Sequence, residues 1–210
     1  MIWDGMLCSL WEPDLNFRTI PEGPEMLILV LGGAASGKSE YAEKLAVQAG
    51  SEAQSGRMIY LATMRHGSTA EARISKHVKQ REGLGFETLE DPLFDKEWPE
   101  AQVILLEDIP NLLANRMFSA EGNSSAGNGD ISDTRDSLPL QLTEEVLKLR
   151  QRTEELIIVS GDIFRDGTEY SEITERYMAL LGELNCRLAE KADRVVEVVC
   201  GIPVDIKVHR

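Results

Sequence analysis

Several things are scarce in this chain, and each scarcity closes off a class of function. Its 210 residues include only three cysteines, Cys8, Cys186 and Cys200, scattered at no metal-binding spacing. An odd and dispersed set argues against a disulfide framework and points to a reducing, cytoplasmic setting, with Cys186 and Cys200 expected as small core fillers. Positive charge is also short: 22 Lys and Arg stand against 36 Asp and Glu, a net charge of −14. Such an acidic protein is a poor non-specific partner for nucleic acid or an anionic membrane. Aromatics such as Phe86, Phe94, Trp98, Tyr170 and Tyr177 are not interleaved with basic residues as a base-stacking surface would require. No apolar run approaches the ~20 residues of a membrane span. Residues 1–25 are acidic and broken by Pro13, Pro21 and Pro24. They read as a flexible N-terminal extension with neither the basic start nor the apolar stretch of a signal peptide. No repeat of 20 to 50 residues is visible.

What is abundant is ordinary for a globular domain, 42% hydrophobic and 28% charged. The apolar residues collect in five short runs, 26–31, 57–62, 102–107, 155–160 and 194–199. Helical patterns alternate with them at about 38–49, 69–81, 110–118, 138–153 and 171–192. Alternating strand and helix predicts an α/β fold, a mainly parallel sheet flanked by helices, and continuous apolar strands predict burial on both faces. Residues 26–210 are expected to form a single domain. The Gly-, Ser-, Asn- and Asp-rich stretch 119–137 is expected to be a mobile surface loop. Ligands of such sheets bind at the carboxyl ends of the strands, here just after residues 31, 62, 107 and 160.

The first of these positions carries the strongest motif. Residues 32–39 read Gly-Gly-Ala-Ala-Ser-Gly-Lys-Ser, a complete G-x-x-x-x-G-K-S phosphate loop between an apolar run and a helical stretch. Backbone N–H groups of such a loop and the following helix N-terminus converge on an anion. Lys38 can reach β- and γ-phosphate oxygens, and the Ser39 hydroxyl can ligate Mg²⁺. Strand, loop and helix in this order predict a P-loop NTPase-like fold that binds a nucleoside triphosphate.

Other candidates lie at the next strand ends. After Leu61-Ala62-Thr63 comes a basic helical segment in which His77 lies four residues after Arg73, with Lys76, Lys79 and Arg81 nearby. Such a cluster attracts phosphate, and a histidine there can attack an α-phosphate. From the residues alone, a charged helix with one histidine reads first as a solvated face. Glu107 and Asp108 end the third run, where a carboxylate beside a phosphate loop suits Mg²⁺, or is simply a strand-end acid. Asp162 has a similar position after the fourth run. His66 and His209 have no evident partners and read as surface residues.

Taken together the motifs resemble the bifunctional adenosylcobinamide kinase/adenosylcobinamide-phosphate guanylyltransferases of cobalamin synthesis. The resemblance covers about residues 26 to 207. Besides the phosphate loop it rests on Tyr60-Leu61-Ala62-Thr63, Arg73-Ile74-Ser75-Lys76-His77, Phe86 to Pro92, Leu105-Leu106-Glu107-Asp108, Leu112 to Asn115, Leu184 to Ala189, Ala192 to Val195 and Gly201 to Lys207. It implies phosphorylation of a corrinoid hydroxyl by ATP or GTP, then transfer of GMP from GTP through a guanylyl-histidine at His77. Carried over residue by residue, it implies nucleotide contacts at Gly32, Gly33, Ala34, Ala35, Ser36, Gly37, Lys38, Ser39, Ala62, Thr63, Met64, Val78, Lys79, Gln80, Arg81, Glu90 and Glu107. Ser39 and Glu107 would hold Mg²⁺, Lys38 and His77 would be catalytic, and the protein would be a homo-oligomer. The chain departs from the family at Ala35, where arginine is usual, and at Asp108, where a small neutral residue is usual. It departs most after the fourth strand, where Gly161-Asp162-Ile163-Phe164 replaces a usual Asn-Glu-Val-Gly. Two other readings fit the motifs: a phosphate-loop kinase for another small substrate lacking the guanylyl step, and a non-catalytic nucleotide-binding paralogue.

Overall fold

The computed structural model describes residues 26–52, 56–65, 75, 78–79, 81–122, 137–163 and 170–208. Strand β1 (Met26–Leu31) leads into helix α1 (Lys38–Glu52), followed by β2 (Met58–Ala62), β3 (Phe86–Glu90) and β4 (Ala101–Glu107). Helices α2 (Ile109–Gly122) and α3 (Leu138–Arg150) precede β5 (Thr153–Val159), and α4 (Glu172–Lys191) precedes β6 (Arg194–Val199) and β7 (Ile202–Val208). The strands form a seven-stranded sheet in the order β3-β2-β4-β5-β1-β6-β7. Every pairing is parallel except the antiparallel β6–β7 pair at one edge.

All five expected runs are strands within a few residues of their expected bounds. Period-2 alternation sends their side chains to two cores. Leu27 and Leu29 face α2, α3 and α4, together with Ile59, Leu61, Ile104, Leu106, Leu156 and Ile158. Ile28 and Val30 face α1, with Tyr60, Val103, Leu105, Ile157 and Val159. Each fully buried aliphatic side chain stabilises the fold by about 1.5–3 kcal/mol, and this is why uninterrupted apolar runs take the central positions. The helices present matching stripes: Tyr41, Ala42, Leu45 and Ala46 on α1, and Leu180, Leu181, Leu184 and Leu188 on α4.

Two strands escaped the sequence reading. β3 and β7 are the sheet edges, and most of their residues are exposed or half-buried. β3 therefore carries Glu87, Thr88 and Glu90, and β7 alternates apolar and polar side chains instead of running apolar throughout. The β6–β7 turn consists of Cys200 and Gly201, both at positive φ (52° and 80°), the backbone of a two-residue hairpin.

The cysteine expectation is corrected: Cys186 and Cys200 are both exposed. Cys186 lies between Leu184 and Leu188, off the buried stripe of α4, and Cys200 sits at the tip of the hairpin turn. α2 runs to Gly122, into the first residues of the stretch expected as a loop, and residues 123–136 lie outside those described. Of the expected helix 69–81, residues 75, 78, 79 and 81 are helical, while His77, Lys76 and Gln80 lie outside the described residues, as do His66 and His209.

Candidate active site at the phosphate loop

β1 ends at Leu31, and the chain turns at once into the loop 32–37 and then into α1. Lys38 and Ser39 are thus the first residues of a 15-residue helix whose free N–H groups and dipole face the loop. Ser36 N–H bonds the Gly33 carbonyl at 3.3 Å, and Tyr41 N–H bonds the Gly37 carbonyl at 3.0 Å. The Lys38 ammonium folds over the loop and donates to the Gly33 carbonyl at 3.1 Å. Ala35 occupies the left-handed region at φ 55°, and Gly37 does so at φ 90°.

The loop is braced from two sides by residues far away in sequence. Asp162 N–H bonds the Gly32 carbonyl at 3.1 Å, and Gly201 N–H bonds the Ser36 carbonyl at 2.8 Å. A Cβ on Gly32 would sit 2.8 Å from the Val198 carbonyl oxygen and collide with the Ser36 side chain; one on Gly37 would press on the Gly201 Cα at 3.3 Å. Gly32 is needed because Ser36 and the end of β6 crowd it, and Gly37 because its backbone is left-handed and the β6–β7 turn lies against it. Sequence reasoning placed Gly201 at the start of a family motif but gave it no part at the phosphate loop. Its signal was the Cys-Gly pair at positions 200 and 201, between β-branched runs, which is a hairpin pattern.

The carboxyl ends of β3, β2 and β4 lie in register, so Glu90, Ala62 and Glu107 stand side by side at the edge where the loop opens. From there the Glu107 carboxylate crosses to α1. Ser39 Oγ donates to Glu107 Oε1 at 2.5 Å, and the Tyr60 hydroxyl donates to Oε2 at 3.0 Å. The Arg81 guanidinium lies 3.4 Å from the centroid of the Tyr60 ring, within the range of a cation–π contact. Ser39, Glu107, Tyr60 and Arg81 are therefore linked in space although they come from four segments. Burial, and then the Glu107 charge, push the Tyr60 phenol well above its ordinary range despite the opposing effect of Arg81. The phenol stays protonated and acts as a donor.

Around this centre the remaining residues sit as follows. Thr63 is fully buried; its hydroxyl donates to the Asp108 carbonyl at 2.8 Å and accepts from Asp108 N–H at 2.7 Å. Asp108 caps α2, accepting from Asn111 N–H at 2.8 Å, which accounts for an acid at this position. Val78 and Lys79 are exposed, and Met64 is half-buried at the end of β2. Asp91, next to Glu90, is buried and accepts from the Asp95 and Lys96 amides and from Trp98 Nε1 at 3.1, 3.2 and 3.0 Å, shaping the turn after β3.

The Ser39 hydroxyl paired with the Glu107 carboxylate is a hard-oxygen donor set suited to Mg²⁺, which takes one or two protein oxygens and completes its shell with phosphate and water. Among the described residues no cluster of three or more His, Cys, Asp or Glu could hold a metal by itself. A metal here would come with the triphosphate.

Over residues 28–206 the sequence matches the model of the cobinamide kinase / cobinamide phosphate guanyltransferase family. The chain belongs to this family. It is 26% identical over 187 residues to the bifunctional adenosylcobalamin biosynthesis protein CobU of Escherichia coli (strain K12), covering 87% of this chain and 100% of that one. Its identity to the protein of the same name from Salmonella typhimurium (strain LT2) is 27%, with the same coverage. A third relative is the bifunctional adenosylcobalamin biosynthesis protein CobP of Pseudomonas aeruginosa (strain PAO1), 27% identical over 184 residues, 85% of this chain and 96% of that one. Family membership makes the chain a nucleotide-dependent transferase of the kinase and guanylyltransferase class. The match spans the phosphate loop, Tyr60, His77, Arg81, Glu107 and the β6–β7 turn in one continuous region.

Proposed function

We propose that this protein phosphorylates the free hydroxyl of adenosylcobinamide and then transfers GMP from GTP to the resulting phosphate. In the first reaction the acceptor hydroxyl loses its proton to solvent and its oxygen forms a bond to the γ-phosphorus. The bond from that phosphorus to the β-phosphate oxygen breaks, releasing the nucleoside diphosphate. In the second, an imidazole nitrogen of His77 attacks the α-phosphorus of GTP and pyrophosphate leaves. An oxygen of the corrinoid phosphate then attacks the same phosphorus, the P–N bond breaks, and adenosylcobinamide-GDP is released.

The observation that carries this reading is the Ser39–Glu107 pair at the mouth of a phosphate loop in a chain of this family. Gly32 to Gly37 and the start of α1 would cradle the phosphates. Lys38 would exchange the Gly33 carbonyl for phosphate oxygens. Ser39 and Glu107 would hold Mg²⁺, which when bound offsets negative charge on the transferring phosphoryl group. Ala62 to Met64, Val78 to Arg81 and Glu90 would complete the nucleotide contacts, with GTP or ATP as phosphoryl donor. A cytoplasmic homo-oligomer belongs to the same reading. The exposed thiols of Cys186 and Cys200 suit a reducing compartment, and the family resemblance supports the oligomer. Among the described residues no helix is long and apolar enough to cross a membrane.

The test is incubation with Mg²⁺ and GTP labelled at the α-phosphate, then denaturation. The expected result is a protein-bound label that is acid-labile and base-stable, as a phosphoramidate is, and that disappears in His77→Ala while triphosphate binding remains. GTP binding without label in the wild type would overturn the guanylyl step and leave a kinase or a non-catalytic binder. Label retained in His77→Ala would remove His77 from the mechanism.

A further inference from the structure

Tyr60 stands in the middle of β2, opposite Leu105 of β4, with its side chain on the α1 face of the sheet. Glu107 lies two residues farther along β4 and therefore about 6.6 Å nearer the carboxyl end. A phenol spans that offset, and its hydroxyl meets Glu107 Oε2 at 3.0 Å. Phenylalanine would fill the same space without reaching the carboxylate. The ring itself is immobilised: Phe86 meets it edge-on, with centroids 6.1 Å apart and planes at 76°, and Arg81 covers it at 3.4 Å. Tyr60 is 3% exposed and Arg81 8%. Among the described residues the buried Arg81 Nε has no hydrogen-bond partner, so the ring is a principal seat of that guanidinium.

We propose that Tyr60 is a positioning residue that holds both the Glu107 carboxylate and the Arg81 guanidinium beside the phosphate loop. Its hydroxyl turns the Glu107 carboxylate so that the other oxygen meets Ser39, and its ring seats Arg81, four positions after His77 in sequence. One side chain thus sets the carboxylate of the phosphate-loop centre and seats the Arg81 guanidinium beside it. The inference rests on the kinase and guanylyltransferase reading, and it assigns to Tyr60 no contact with substrate.

Tyr60→Phe separates the two duties, because it keeps the ring under Arg81 and removes the hydroxyl from Glu107. Two measurements follow on the full chain. The first is calorimetric binding of a non-hydrolysable GTP analogue across a Mg²⁺ titration. The second is covalent labelling from α-labelled GTP at low and at saturating Mg²⁺. The Mg²⁺ concentration for half-maximal analogue binding is expected to rise about 10-fold, the lower end of what a hydrogen bond to a charged group contributes. Labelling is expected to fall at low Mg²⁺ and return to the wild-type level at saturation. An unchanged Mg²⁺ dependence would overturn the positioning of Glu107. A labelling defect that excess Mg²⁺ does not rescue would overturn the division of labour between hydroxyl and ring. A wild-type protein that neither binds the analogue nor labels would fail the functional reading instead, and the two failures are told apart by the wild-type control.

Discussion

The two faces of the sheet are built to different specifications. The face under α2, α3 and α4 is a broad aliphatic layer, with Leu112, Leu113, Met117, Leu142, Val146, Leu149, Leu181, Leu184 and Leu188 packed on alternate residues of the central strands. Its buried polar side chains are satisfied by near neighbours: Thr143 at the Pro139 carbonyl of its own helix, Ser160 at Asn185 Oδ1 of α4, and Asp91 at the Asp95 and Lys96 amides of the following turn. The face under α1 is smaller and carries polar groups into its interior: Glu43, Tyr60, Arg81, and Tyr41, whose hydroxyl accepts from Arg194 at 3.2 Å. Burying charge and hydroxyl groups costs free energy unless they are paired; Tyr60 is paired with Glu107, which also bonds Ser39, and carries Arg81 on its ring, while Tyr41 is paired with Arg194. Hydrocarbon on one side stabilises the sheet. On the other, part of that stability is given up to hold a carboxylate, a phenol and a guanidinium beside the phosphate loop.

The comparison can be broken by perturbing each face in turn. Leu184→Ala, on the aliphatic face, should cost about 2–5 kcal/mol of stability, as large-to-small core changes do, and leave triphosphate affinity of the folded protein unchanged. Chemical denaturation and calorimetry on the same sample check both halves, and a parallel loss of affinity would mean the faces are not separable. Lys38→Ala, at the start of α1, should do the reverse. Triphosphate affinity should fall about 10- to 100-fold, the range for a lost charge-assisted hydrogen bond. The thermal midpoint of the free protein should hardly move, because Lys38 bonds only a loop carbonyl there. Unchanged affinity would mean the loop does not grip phosphate.

The smallest effect is a pH dependence. The Tyr177 phenol, which donates to the Pro110 carbonyl at 3.0 Å, is pushed up from 10.0 to about 12, first by burial and then by Asp108. A raised tyrosine pKa favours the neutral, folded form. Its contribution is therefore complete below pH 10.0 and is lost as pH climbs toward about 12. Tyr177→Phe should make the alkaline fall in denaturation free energy shallower than in the wild type. An identical slope would assign the fall to Tyr41 and Tyr60, on the other face, whose phenols burial also raises.

The central strands and the phosphate loop were legible in the sequence because both are local signals. An uninterrupted run such as Met26 to Leu31 reports burial on both sides, and the loop's glycines, Lys38 and Ser39 stand within eight residues. The edges were not legible, since a strand exposed along one side needs no apolar run. Tyr60 lay inside one of the motifs behind the resemblance, yet its sequence neighbours gave no hint of its duty. The brace from Gly201 was hidden for the same reason, 165 residues from the carbonyl it holds at Ser36 (201 − 36 = 165).

The sequence by itself therefore determined the fold class, the anion-binding loop and, through an ordered set of motifs, the family. The tertiary structure decided which groups meet. With β5 between β1 and β4 and β2 beside β4, Glu107 faces Ser39 from one side and Tyr60 from the other. Hydrophobic periodicity states how deeply a residue is buried, which depends on its immediate surroundings. Strand order depends on how the whole set of faces packs, and no short stretch of chain contains that information.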